Sequence, residues 1–203
     1  EYSDGVVKDR IPVGYNARTT VHEYGGAAYT VVDGVVYFSN FGDQLLYSGG
    51  EGGAPVKVTG DLAQRHADYL YDPRGRLVCV REDHGTGQDE AVNSLVAVSL
   101  KDGSSATLAE GNDFYSSPRL SPGGDRLAFL TWNHPNMPWD GCELWVAEVE
   151  GDGSLGEMML VAGGPDESIV QPEWGPDGVL YFVSDRGGWW NLYRWREGAV
   201  EAV

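Results

Sequence analysis

Basic residues are scarce in this chain: 14 Lys and Arg stand against 31 Asp and Glu in 203 residues, for a formal net charge of −17. That balance repels a polyanion, so nucleic acid is excluded as a natural partner. The excess acid supplies a solvated surface, or it attracts cationic groups such as a free amine. Cysteine is limited to Cys79, inside an apolar strand pattern, and Cys142, at the head of another. Neither belongs to a C-x-x-C or a Cys/His cluster, so metal and redox work are not indicated. Two buried free thiols fit a reducing, cytoplasmic setting, although sequence leaves a disulfide open because the Cα separation is unknown. No apolar run approaches the length of a membrane span, and no basic stretch with a hydrophobic segment behind it opens the chain. A membrane partner is therefore not expected.

Catalytic signatures are missing as well. There is no G-x-S-x-G elbow, no alternation of strands with helices to carry one, and no phosphate loop. His22-Glu23 begins like H-E-x-x-H, but Gly25 and Gly26 follow and the second histidine is absent. No catalytic residue, metal ligand or cofactor is assigned. The chain starts at Glu1 rather than Met and stops at Val203 within a strand pattern, as expected of a piece of a longer protein.

What the chain does contain is 41% hydrophobic and 11% aromatic residues, with 29 Gly and 7 Trp, the mixture of many short strands joined by tight turns. Residues 171–193 show the unit most clearly: an apolar strand, a Gly-Pro-Asp-Gly turn, the strand Val179-Leu180-Tyr181-Phe182-Val183, the loop Ser184-Asp185-Arg186-Gly187-Gly188, and an aromatic third strand. Upstream copies place their first-turn glycines at Gly34, Gly75 and Gly124, ahead of Gly178. The spacing, roughly 40 to 55 residues, is the period of propeller blades. A β-sandwich accommodates the strand count but does not need the same turn in every period. The expected fold is all-β, a partial β-propeller of about four four-stranded antiparallel blades.

Residues 1–23 read as the end of a preceding blade with a crossing segment. Residues 24–203 then form the blades, at about 24–60, 64–109, 113–162 and 168–203. The first blade is expected to open with a strand from Tyr24 to Val32 and to turn at Asp33-Gly34. A partial ring leaves outer blade faces and edges uncovered, which favours self-association.

Blade topology puts the plain Pro-Gly turns on one face and the unusual segments, 21–26, 82–93, 133–141 and 185–191, on the other, where function is expected. Glu23 either caps backbone amides in a blade crossing or presents a carboxylate to a substrate amine. His84 reads as part of a mobile polar loop. The stretch His134-Pro135-Asn136-Met137-Pro138-Trp139-Asp140 is stiffened by its prolines, and either packs on its own blade or forms a ridge toward a neighbouring domain or a substrate. Alternation should bury one of Trp189 and Trp190, and Asp185-Arg186 should make a local charge-assisted bond.

Three stretches carry a family resemblance: Arg18-Thr19-Thr20-Val21-His22-Glu23-Tyr24-Gly25-Gly26, residues 130–140 from Leu130 to Asp140, and residues 184–193 from Ser184 to Tyr193. With them the chain resembles the N-terminal propeller of the prolyl oligopeptidase family of serine peptidases, in its bacterial branch similar to acylaminoacyl peptidases and dipeptidyl aminopeptidases. The resemblance implies a propeller that gates access to an α/β-hydrolase catalytic domain of the same parent chain, with a short peptide as substrate. It nominates Glu23 to hold the free α-amine; Tyr24, His134 and Trp139 are the further candidates for substrate binding. The alternatives are a non-enzymatic interaction propeller of the periplasmic translocation type and a calcium-dependent propeller hydrolase.

Overall fold

The computed structural model describes residues 2–3, 5–50, 53–196 and 198–203. Among them there is no helix long and apolar enough to cross a membrane. Strands β1 (Tyr2–Ser3) and β2 (Val6–Val7) form a small antiparallel ribbon. Four antiparallel four-stranded sheets follow. The first contains β3 (Tyr29–Val32), β4 (Val35–Ser39), β5 (Leu46–Gly49) and β6 (Val56–Lys57). The second contains β7 (Gln64–Asp72), β8 (Arg76–Asp83), β9 (Val92–Ser99) and β10 (Ser105–Ala109). The third contains β11 (Phe114–Leu120), β12 (Arg126–Trp132), β13 (Glu143–Val149) and β14 (Leu155–Gly163), and the fourth β15 (Ile169–Trp174), β16 (Leu180–Ser184), β17 (Asn191–Arg196) and β18 (Ala199–Ala202). In each sheet the strands lie in chain order, so every sheet is a meander, and the fold is the expected partial β-propeller.

The turn residues explain the meanders. Asp33 and Gly34 both adopt positive φ, 48° and 80°, the backbone of a tight hairpin whose twist matches its strands, and Val32 pairs with Val35 across it. Asp72 and Asp177 each accept the backbone N–H two residues on, from Arg74 and Val179, and so fold their turns locally. The expected long first strand is shorter than its apolar pattern. The N–H of Gly25 bonds back to the carbonyl of Val21 at 2.9 Å, so 21–25 is a turn and pairing begins only at Tyr29.

The first strands of three blades share a feature that the turn glycines alone do not reveal. Asp68, Ser117 and Gln171 stand at the same place relative to Gly75, Gly124 and Gly178, and all three have left-handed φ of 57°, 53° and 53°. Pairing shifts between Ser116 and Arg119 and between Val170 and Glu173, so Ser117 and Gln171 lie in β-bulges. Pro118 and Pro172 fall inside the bulges, where no ladder donor is required.

The chain divides into two compact units. The first comprises Glu1–Tyr71, Gly75–Val92 and Val96–Ala106; the second comprises Asp72–Arg74, Asn93–Leu95 and Thr107–Val203. In the first, Val36, Phe38, Leu45 and Tyr47 bury against Ile11, Tyr15 and Ala17, and a second cluster joins Leu46, Tyr69, Leu77, Cys79, Val96 and Val98. The core of the second gathers Leu130, Trp132, Leu144, Ile169, Leu180, Phe182 and Trp195. Second strands are buried on both faces, which accounts for their nearly continuous apolar runs. Cys79 and Cys142 are both buried and free.

Candidate functional site

In the first unit the nominated residues sit on a turn held from several sides. His22, Glu23 and Gly25 have φ of 54°, 63° and 88°. For the two side-chain-bearing residues this conformation costs about 1–2 kcal/mol each, so it persists only where neighbours over-determine it. Val21, 1% exposed, anchors the segment in the core. Thr20 N–H donates to Gln44 Oε1 at 2.9 Å, and Glu23 N–H to the carbonyl of Thr20 at 2.9 Å. His22 N–H donates to Glu82 Oε1 at 2.9 Å, and Ala27 N–H to Asp68 Oδ1 at 2.8 Å. A Cβ at Gly26 would meet the Ala67 and Asp68 side chains at 3.1 Å, a tight approach that the missing side chain avoids.

Glu82 is the hub of this arrangement. It lies at the end of β8, is 6% exposed, and its second oxygen accepts from Arg65 at 3.3 Å and pairs with His84 Nε2 at 2.9 Å. His84, expected on a mobile loop, is therefore tethered. The backbone amides of the crossing are capped by Glu82 and Asp68, while the Glu23 side chain is exposed. Tyr24 is exposed beside it, with its ring 5.8 Å from that of His22. Burial lowers the His22 pKa against the opposing charges of Glu82 and Asp68; burial and then the Asp68 charge raise that of Tyr24. The turn thus presents one carboxylate and one aromatic ring to solvent, two groups suited to an ammonium.

In the second unit the 133–141 loop is organised by Asp113. Its Oδ2 accepts the backbone N–H of His134 at 2.8 Å and pairs with His134 Nδ1 at 3.0 Å; these hydrogen bonds outweigh burial and lower the Asp113 pKa. The His134 ring also packs against Phe114, which stacks on Trp132. The peptide bond between His134 and Pro135 is cis. A cleft of about 230 Å³ opens beside His134, Asn136, Glu143 and Pro165. Trp139 is 61% exposed. Ser168 ties this loop to 185–190, donating its hydroxyl to the Pro138 carbonyl at 2.6 Å and its N–H to Asp185 Oδ1 at 2.8 Å.

Two local expectations are corrected here. Arg186 does not bond to Asp185; it reaches back to Glu167, while Asp185 holds the Ser168 amide. Trp189 and Trp190 are both exposed, at 81% and 51%, because alternation resumes only at Asn191, after the loop. The structure brings Glu23 and Tyr24 together on one turn and places His134 and Trp139 on one loop, the former pair in the first unit and the latter in the second. Sequence reasoning passed over Glu82 and Asp68. The available signals were an acidic residue prolonging the apolar run Leu77-Val78-Cys79-Val80 and a polar residue at the position equivalent to Ser117 and Gln171. Among the described residues no group of three His, Cys, Asp or Glu side chains is arranged to hold a metal.

No protein-family model matches the chain, and neither does any curated protein. Solved structures do. The chain is 37% identical to a puromycin-hydrolysing peptidase of Mycobacterium tuberculosis, over 96% of this chain and 33% of that one, with a TM-score of 0.86. It is 36% identical to a puromycin hydrolase, over 98% of this chain and 34% of that one, with a TM-score of 0.89. The chain belongs with the propeller portion of prolyl oligopeptidase-family peptidases. It spans about a third of the length of these structures. TolB of Agrobacterium tumefaciens, 17% identical over 87% of this chain and 61% of that one with a TM-score of 0.63, shares the fold alone.

Proposed function

We propose that this chain is the non-catalytic propeller segment of a serine aminopeptidase or oligopeptidase, controlling access and helping to hold short peptides at an α/β-hydrolase catalytic domain of the parent protein. The observation that carries the reading is identity of 36–37% with puromycin-hydrolysing peptidases across nearly the whole chain. In this reading Glu23 holds the free α-ammonium and Tyr24 flanks it, and His134 and Trp139 are further candidates for substrate binding. The reading places the parent in the cytoplasm, consistent with two buried reduced thiols. The exposed Tyr29 and Val31 of β3 make self-association of the isolated chain part of it.

The test uses the full-length protein and paired substrates, an aminoacyl arylamide and its N-acetylated form. Glu23→Gln keeps the shape and removes the charge. It should raise KM for the free-amine substrate roughly tenfold or more, the order expected for losing a hydrogen bond to a charged group, and leave the N-acetylated substrate nearly unchanged. Equal effects on both substrates would refute amine anchoring at Glu23.

A further inference from the structure

We propose that Glu82 is the positioning residue for the amine-binding turn; the inference rests on the reading that Glu23 holds the substrate ammonium. Three observations carry it. The first is the backbone. His22 and Glu23 are consecutive side-chain-bearing residues in the left-handed region, and such outliers survive only where the surroundings dictate them. The second is the bond. Glu82 Oε1 accepts the N–H of His22, the residue immediately before Glu23, at 2.9 Å, across 60 positions of sequence. The third is that the acceptor itself is immobilised. Its carboxylate is nine-tenths buried and its other oxygen is shared by Arg65 and His84.

With Oε2 engaged by Arg65 and His84, Oε1 is held where it meets the His22 amide. Removing Glu82 leaves that amide without its acceptor, and the turn then relaxes toward ordinary backbone angles. The Glu23 carboxylate moves with it. Binding groups must be held within a fraction of an ångström to be effective, so the loss appears in substrate affinity, although Glu82 never touches the substrate. A charge network that served stability alone would not discriminate between substrates.

The experiment measures KM and kcat of the full-length protein on an aminoacyl arylamide and its N-acetylated form, for Glu82→Ala, Glu82→Gln and Glu23→Gln, each below its melting temperature. Glu82→Ala should raise KM for the free-amine substrate about tenfold relative to the N-acetylated one, with kcat little changed. Glu82→Gln, whose amide oxygen still accepts the His22 N–H, should recover most of that selectivity. Should Glu82→Ala fail to fold, Arg65→Leu loosens the carboxylate from a half-buried position and should give a smaller loss of the same kind. If Glu23→Gln discriminates between the substrates and the Glu82 and Arg65 variants do not, the positioning role is overturned while amine anchoring stands. If Glu23→Gln itself affects both substrates equally, anchoring falls and the positioning role falls with it.

Discussion

Arg186 grips Glu167 through two parallel hydrogen bonds, Nε to Oε1 at 2.9 Å and Nη2 to Oε2 at 3.1 Å. The Ser184 hydroxyl donates to the same Oε1 at 2.6 Å, and the guanidinium lies over the Tyr193 ring. One carboxylate thus fixes the third-strand loop of the last blade to the segment that leads into it. Burial by itself would raise the Glu167 carboxyl, yet these hydrogen bonds and the Arg186 charge outweigh it and hold the group below its ordinary 4.5.

Glu167→Gln should therefore cost about 1–3 kcal/mol near neutral pH, the range for hydrogen bonds to charged groups. A depressed folded-state pKa contributes stability above the unfolded-state value and loses it as pH falls through the folded value. The gap between wild type and variant should accordingly shrink between pH 7 and pH 3. Urea unfolding at both values checks this, and a gap of constant size would contradict it.

Gly141 closes the 133–141 loop against Gly164 and Pro165. A Cβ at this position would collide with the carbonyl oxygens of both residues, backbone atoms that have no free side chain to swing aside. Gly141→Ala should destabilise the chain by about 1–3 kcal/mol, as overpacking does elsewhere. Thermal unfolding measures it, and an unchanged melting temperature would show that the loop does not rest on 164–165.

His66 is 1% exposed, and neither ring nitrogen has a hydrogen-bond partner among the described residues. Burial, reinforced by the Arg81 charge and opposed by Asp61 and Asp83, lowers its pKa from 6.5 to about 4. The folded chain holds this imidazole neutral where the unfolded chain protonates it. Stability is therefore lost as pH drops from 6.5 toward 4, by up to about 1.4 kcal/mol per pH unit from this one group. His66→Leu should flatten that dependence; denaturant midpoints between pH 7 and pH 4 that run parallel for the two proteins would rule the assignment out.

The chain alone should not turn over peptides. Incubation with aminoacyl arylamides should give no product above background, and turnover abolished by a serine-directed inhibitor would overturn the non-catalytic reading.

The blade architecture was legible because its signals are local. Asp33-Gly34 needs no distant partner to turn, and Val179 to Val183 declares its two-sided burial by composition. The same locality misled at Tyr24–Ala28, where an apolar stretch reads as strand but the Tyr24 and Gly25 amides bond within a turn and that of Ala27 goes to the Asp68 carboxylate. It misled again at Trp189 and Trp190, which belong to a loop and not to the alternating strand behind it.

The candidate site divides along the same line. Sequence by itself determined a repeated four-strand unit, an acidic chain without catalytic or metal motifs, and the segments 18–26 and 130–140 as the places to look. Only the tertiary structure decided that Glu82 and Asp68 clamp the turn bearing Glu23, that Asp113 orients His134, and that Arg186 serves Glu167 and not its neighbour Asp185. The physical reason is sequence separation. His22 and Glu82 lie 60 residues apart, and Ala27 and Asp68 lie 41 apart. Periodicity records which face of a strand is buried, but it carries no record of which distant carboxylate a backbone amide will meet once the blades have packed.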